Sequence, residues 1–324
     1  MLEIEHLSLA VPSREGALPA VSDVSLSVAR GRVLGLVGES GCGKSLTAQT
    51  VLRLGEYQGI ERTGGTVRVD GEDVFAMDEP ALRRLRGGRV SMVFQEPMTA
   101  LNPVFSIGDQ ITEVIRLHLD VSDAQAKARA ASLLASVGLS EPERLMRQYP
   151  GELSGGMRQR VLIAMAMSGE PDYIIADEPT TALDVSVQAR IMDLLRALQR
   201  EKGLGMLLVT HDFGLVAELA DEVAVMYAGQ IVESGPVEDI FDHPAHPYTR
   251  ALMACRPEVA EPGRPLPAIP GQVPAPGRWP EGCRFAPRCA HAGSACERPV
   301  PERAWTSPNG SGHWARCVRV EELS

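Results

Sequence analysis

The octet GESGCGKS, Gly38 to Ser45, has the residue types that a phosphate cradle needs. Its three glycines let the backbone curl so that N–H groups face phosphate oxygens. The apolar run RVLGLV precedes it and KSLTAQTVLRL follows. The loop therefore joins a strand to a helix whose N-terminus adds partial positive charge. In such a loop Lys44 reaches the β- and γ-phosphates and Ser45 ligates Mg2+. The candidate nucleotide contacts are Gly38, Glu39, Ser40, Gly41, Cys42, Gly43, Lys44, Ser45 and Leu46, with Cys42 read as a small space-filler.

Two further stretches carry matching chemistry. YIIADEP ends an apolar run in two acids. Asp177 is placed to hold Mg2+, and Glu178 to polarise an attacking water as general base. LSGGMRQR sets Ser154, Gly155 and Gly156 at a helix start, where a hydroxyl and free amides make a second anion site. One nucleotide needs only one cradle. The second start, Ser154 to Met157, reads either as an N-cap with glycine slack or as a contact for the γ-phosphate of a nucleotide held by another subunit.

These residues need a scaffold that presents strand ends and helix starts together. RVLGLVGES, YIIADEP and GMLLVTHD read as apolar strands ending in polar residues, and SVQARIMDLLRALQREKG reads as a helix between two of them. Alternation of this kind predicts an α/β layer structure with a largely parallel core, which places ligands at strand ends. The stretch from about Ile107 to Arg147 reads as purely helical. One helix there starts at the cap Ser122 and ends near Gly138.

Length and charge narrow the function. A chain of 324 residues, 44% hydrophobic and 23% charged, buries a sizeable core. A net charge of -10 and only 4% aromatic residues disfavour a nucleic-acid partner. No apolar run approaches the roughly 18 residues of a membrane span. MLEIEHLSLAV alternates like a strand and does not read as a signal peptide. The expected location is the cytoplasmic face of a membrane, reached by docking.

In order and spacing, the cradle, LSGGM, IIADEP, TALD and VTHD resemble the ABC-type ATPases over roughly residues 1–255. The resemblance implies a RecA-like α/β core with an antiparallel β subdomain and an inserted helical subdomain, about 97–165. It implies ATP and Mg2+, and a head-to-tail dimer of cassettes that sandwiches two ATP molecules. Gln95 in VFQEP matches the Q-loop residue, which senses Mg2+ and the γ-phosphate. Asp184 matches the D-loop, and His211 the switch histidine. Glu178, His211 and Gln95 are the implied catalytic residues, and Ser45, Gln95 and Asp177 the implied Mg2+ set. The family often stacks adenine on an aromatic residue after the first strand. No aromatic occurs in LSLAVPSREGALPAVSDVSL, so Val11 or a neighbour is expected to pack on the base.

EPMTALNPVFSIGDQI, then FDHPAHPYTRALMACRP, LPAIPGQVP and GCRFAPRC, resemble ATP-binding subunits of oligopeptide and dipeptide permeases. The resemblance then covers nearly the whole chain. It implies an ATP-hydrolysing subunit that powers peptide import. Its implied partners are a second, non-identical ATPase, two permease subunits and, indirectly, an extracellular or periplasmic substrate-binding protein. A soluble regulatory or DNA-associated ABC ATPase with a cysteine-based sensor is the alternative, and co-purifying partners separate the two.

The tail, 256–324, is compositionally distinct. It holds 12 of the 24 prolines, which marks an extended linker leading to a loop-rich cysteine module. The spacing Cys283-x5-Cys289-x6-Cys296-x20-Cys317 leaves three readings open: an iron–sulfur cluster, zinc, and plain thiols or occasional disulfides. The permease resemblance favours a 4Fe–4S cluster on these four cysteines, with Zn2+ as the alternative. So small a tail is expected to need metal for its folding free energy.

Overall fold

The computed structural model describes residues 1–14, 16–180, 184–256, 267–308 and 310–323. Thr181, Ala182 and Leu183 of the TALD motif, and the start of the proline-rich linker, lie outside the described residues.

In chain order the elements begin with β1 (Leu2–Ser13), β2 (Gly16–Val28), β3 (Val33–Val37), α1 (Lys44–Thr50), β4 (Glu61–Val69), β5 (Glu72–Asp73), α2 (Glu79–Leu85) and β6 (Val90–Val93). A helical run follows: α3 (Pro97–Ala100), α4 (Ile107–His118), α5 (Asp123–Ser136), α6 (Pro142–Leu145) and α7 (Gly155–Met167). Then come β7 (Tyr173–Asp177), α8 (Val185–Lys202), β8 (Gly205–Thr210), α9 (Phe213–Leu219), β9 (Glu222–Tyr227) and β10 (Gln230–Pro236). The chain closes with α10 (Val237–Asp242), α11 (Pro247–Ala254), β11 (Trp305–Thr306), β12 (Trp314–Ala315) and α12 (Val320–Leu323). The packing divides these into two compact units, one of residues 1–28, 33–75 and 209–324, the other of 29–32 and 76–208.

In the first unit β2, β1, β4 and β5 form an antiparallel sheet, with β1 registered Leu2↔Val28 against β2 and Leu2↔Val69 against β4. Leu2 and Ile4 are buried while Glu3 and Glu5 are not, the period-two pattern of a sheet with one face on the core. The same unit carries the strand sequence β11-β12-β10-β9-β3. All five residues of β3, VLGLV, are buried, and β3 runs parallel to β9. A wholly apolar strand suits a sheet covered on both faces.

In the second unit β7 lies between β8 and β6 and runs parallel to β6. The helical stretch expected between Ile107 and Arg147 is α4, α5 and α6. Ile107, Ile111 and Ile115 of α4 are fully buried, four residues apart on one stripe. The helix α5 begins at a reciprocal capping box of Ser122 and Gln125, and Gly138 follows its end at φ 74°.

The tail departs from expectation in one respect. It does bury a small core, because it borrows one. Strand β12 pairs antiparallel with β10, Ala315↔Glu233. Ala315, Cys317 and Val320 cluster with Ala245 of the cassette sequence, and Trp305 packs against them. Glu233, fully buried, accepts from His313 Nε2 at 2.7 Å and from the amides of Ala245 and His246 at 2.6 and 2.9 Å. Buried polar groups this well paired hold a segment in one register.

Candidate functional site

The loop from Gly38 to Gly43 follows β3 directly, as the sequence requires. Gly38 sits at φ 153°, and a Cβ there would lie 2.2 Å from the Met226 carbonyl oxygen. Gly43 caps α1 at φ 107°, where a side chain would meet Met226 and Val21. Glycine is thus required by space as well as by conformation. Lys44 is 4% exposed, and its ammonium donates to the carbonyls of Gly38 at 2.8 Å and Glu39 at 3.1 Å. Cys42 is buried behind the loop, and burial raises its thiol pKa, in keeping with a space-filling role. Ser45 and Leu46 open α1 and are half-buried, while Ser40 and Gly41 are exposed. The helix is shorter than its sequence suggested: the chain turns at Arg53, φ 52°.

Two contacts on this loop had no signal in the local sequence. The Glu39 amide donates to Tyr248 Oη at 2.9 Å. The Glu39 carboxylate is gripped by the Arg288 guanidinium through contacts of 2.7 and 3.0 Å, across 249 positions of sequence.

In the second unit Asp177 closes β7 and is 2% exposed. Glu178 follows in the left-handed region, φ 46°, a conformation costing a non-glycine residue on the order of 1–3 kcal/mol. Its Oε2 accepts from Gln95 Nε2 at 3.1 Å. The structure therefore brings together the two residues read as Q-loop glutamine and general base. An acidic side chain held by a strained strand end and an amide donor is equipped to orient a water for in-line attack.

The same unit holds the helix start expected to be a second anion site. Ser154 caps α7 in extended geometry, φ -67° and ψ 161°, and its Oγ accepts from the Met157 amide at 3.4 Å. Gly156 packs so closely on Val187 that a Cβ would lie 2.9 Å from it. Asp184 caps α8 and accepts from Ser186 Oγ at 2.7 Å and the Val187 amide at 2.9 Å, which keeps its carboxyl below the usual range. Ser154, Gly155, Gly156, Met157, Asp184, Arg160 and Arg190 line one open hollow of about 590 Å3. Signature and D-loop residues thus share a single surface. In the first unit His211 is exposed after β8, and the next residue, Asp212, caps α9 through the Gly214 and Leu215 amides. Val11, expected near the base, pairs with Leu18 across the β1–β2 hairpin.

The four tail cysteines line one small hollow with His246, Pro247 and Phe285, in a space of about 10 Å3. None is in a disulfide. Burial pushes the Cys283 thiol up to about 11, and raises those of Cys289 and Cys317. Four thiols facing one hollow are the donor chemistry of a thiophilic centre. Their present spacing is not, since among the described residues no three His, Cys, Asp or Glu side chains are grouped to hold a metal ion. Among the described residues the tail therefore shows a thiol-lined hollow, and a metal-binding module is not shown. Among the described residues no helix is long and apolar enough to cross a membrane.

Comparison with known proteins places this geometry. Residues 21–181 match the ABC transporter family, and 232–296 match the oligopeptide/dipeptide transporter C-terminal region. A protein of Brucella abortus, provisionally named a peptide import ATP-binding protein, is 48% identical over 98% of this chain and 94% of its own length. A second from the same species, with the same kind of name, is 47% identical over 100% of this chain and 98% of its own. Among solved structures, a dimeric ATP-binding cassette in a post-hydrolysis state with ADP and phosphate superposes with a TM-score of 0.66 at 27% identity, covering 73% of this chain and 99% of that one. A component of an ABC transporter complex from Clostridium perfringens gives 0.63 at 26%, covering 75% and 90%. With the cassette motifs and the transporter-type C-terminal region in one chain, this protein belongs to the ABC transporter ATP-binding proteins, in the oligopeptide/dipeptide transporter family.

Proposed function

We propose that the chain is the ATP-hydrolysing subunit powering peptide import through a membrane permease, from the cytoplasmic face. The carrying observation is that one chain is alike, over 98% of its length, to relatives named for peptide import, while Gln95 and Glu178 meet at hydrogen-bond distance. Residues 1–255 form the nucleotide-binding cassette, with a helical subdomain at about 97–165, and 256–324 its C-terminal module.

The division of labour follows from the residue types. Amides of Gly38 to Gly43, Lys44, Ser45 and Leu46 bind the triphosphate. Ser45, Gln95 and Asp177 would be the ligands of Mg2+, which would neutralise phosphate charge. Glu178 orients and deprotonates water, Gln95 fixes the Glu178 carboxylate, and His211 donates to the γ-phosphate. Ser154, Gly155, Gly156 and Met157, with Asp184 beside them, serve the ATP of a second, non-identical cassette. Two permease subunits and a substrate-binding protein complete the assembly. Cys283, Cys289, Cys296 and Cys317 would be the ligands of a 4Fe–4S cluster, or of zinc in its place, which would cross-link the tail; the support is the shared thiol hollow.

Reconstitution tests this reading. Vesicles containing the purified assembly should accumulate peptide only with ATP present, and Glu178→Gln should abolish uptake. Uptake at the wild-type rate with that variant would overturn it.

A further inference from the structure

We infer that Arg288, in the cysteine module, is a positioning residue for the phosphate loop and acts through Glu39. Its side chain is 5% exposed and lies beside the Tyr227 and Phe285 rings, at 5.7 and 6.0 Å from their centroids. Its Nη1 meets Glu39 Oε2 at 2.7 Å, and its Nη2 meets Glu39 Oε1 at 3.0 Å. The remaining donors are also occupied: Nε binds the Pro270 carbonyl at 2.8 Å and Nη2 that of Ile269 at 3.3 Å. A planar fork so engaged has one orientation, and it imposes that orientation on the carboxylate.

Glu39 is thereby held at three points. Arg288 fixes its side chain, Tyr248 Oη its amide, and Lys44 Nζ its carbonyl. The last contact matters most, because the same ammonium is the one that must reach phosphate. Fixing Glu39 fixes the carbonyl against which Lys44 rests and the turn through Gly38 to Ser40. The pair has an electrostatic consequence as well. A bare carboxylate on a phosphate-binding loop repels its ligand, and Arg288 cancels that charge. The cysteine tail thus reaches the nucleotide loop within its own chain, one residue before Cys289, which nothing in the cassette motifs announces.

This rests on the ATPase reading, and the test separates the two. On the full chain, affinity for a fluorescent ATP analogue is measured together with kcat and KM. Arg288→Ala should raise Kd and KM about 10-fold while saturated turnover stays within about 3-fold. Glu39→Gln, which loses the fork but also the repulsive charge, should raise them about 3-fold. The double variant should match Glu39→Gln, and Arg288→Lys should fall between wild type and Arg288→Ala. A purely structural tether would lower the melting temperature and leave KM unmoved; that result sinks the inference. If Arg288→Ala yields no folded protein, a wild-type KM in Glu39→Gln sinks it equally. Lys44→Ala is the control. A wild-type chain that binds the analogue no better than Lys44→Ala refutes the ATPase reading instead.

Discussion

Gln95 Nε2 and Glu178 Oε2 lie 3.1 Å apart although 83 positions separate them in sequence. The contact is possible because β6 and β7 are parallel neighbours, registered Val93↔Ala176, so their C-terminal ends emerge side by side. Glu178 adds a left-handed backbone, which turns its side chain away from the strand direction.

Replacing that acid should isolate its role. Glu178→Gln keeps shape and the Gln95 contact but removes the base. Turnover should fall on the order of 100- to 10,000-fold, with ATP affinity within about twofold of wild type. Phosphate release and nucleotide titration measure the two quantities; an unchanged rate removes Glu178 from the mechanism.

The hollow beside Ser154 predicts a different phenotype. Ser154→Arg should leave the chain's own loop binding ATP normally, because under the proposed function Ser154 serves the ATP of the second cassette. Turnover of the assembled pair should drop at least about 10-fold through the loss of a γ-phosphate donor. Equal loss of binding and turnover would show that Ser154 serves its own nucleotide or the fold.

His246 supplies a pH dependence. It is fully buried, its Nδ1 accepts from the Tyr248 amide at 3.1 Å, and burial pulls its pKa down to about 4 despite the opposing charge of Glu233. The unfolded chain takes up the proton near pH 6.5 and the folded chain only near 4, so between those values the unfolded state binds more protons. The stability contribution is complete above about pH 6.5 and falls as the pH drops toward 4, by about 3 kcal/mol in all. Melting temperature against pH should therefore decline across that window. His246→Asn, which retains a cap acceptor, should flatten the decline; an unaltered slope assigns it to other groups.

For the tail, protein purified without oxygen should contain iron and acid-labile sulfide in equal amounts, and Cys289→Ser should lose both. Zinc in place of iron assigns the alternative metal, and neither metal removes the proposal. Because β12 pairs with β10 and Ala315 and Val320 pack on Ala245, chelation should lower the melting temperature without unfolding the tail. Circular dichroism on the chelated protein checks this.

Sequence alone determined the local chemistry. The glycines of GESGCGKS, the helix starts at Ser122 and Ser154, and the apolar strands VLGLV and YIIAD act within a few residues of themselves. Backbone conformation, capping and burial period are properties of short segments, so the order of residues along the chain is enough to read them. The tertiary structure decided what pairs over distance: Gln95 with Glu178, Arg288 with Glu39, His313 with Glu233, and four thiols around one small hollow. Such contacts depend on strand order and on where a proline-rich return segment lands. A residue's own neighbours in sequence carry no record of either, so the tail's hold on the phosphate loop appears only when the chain is folded.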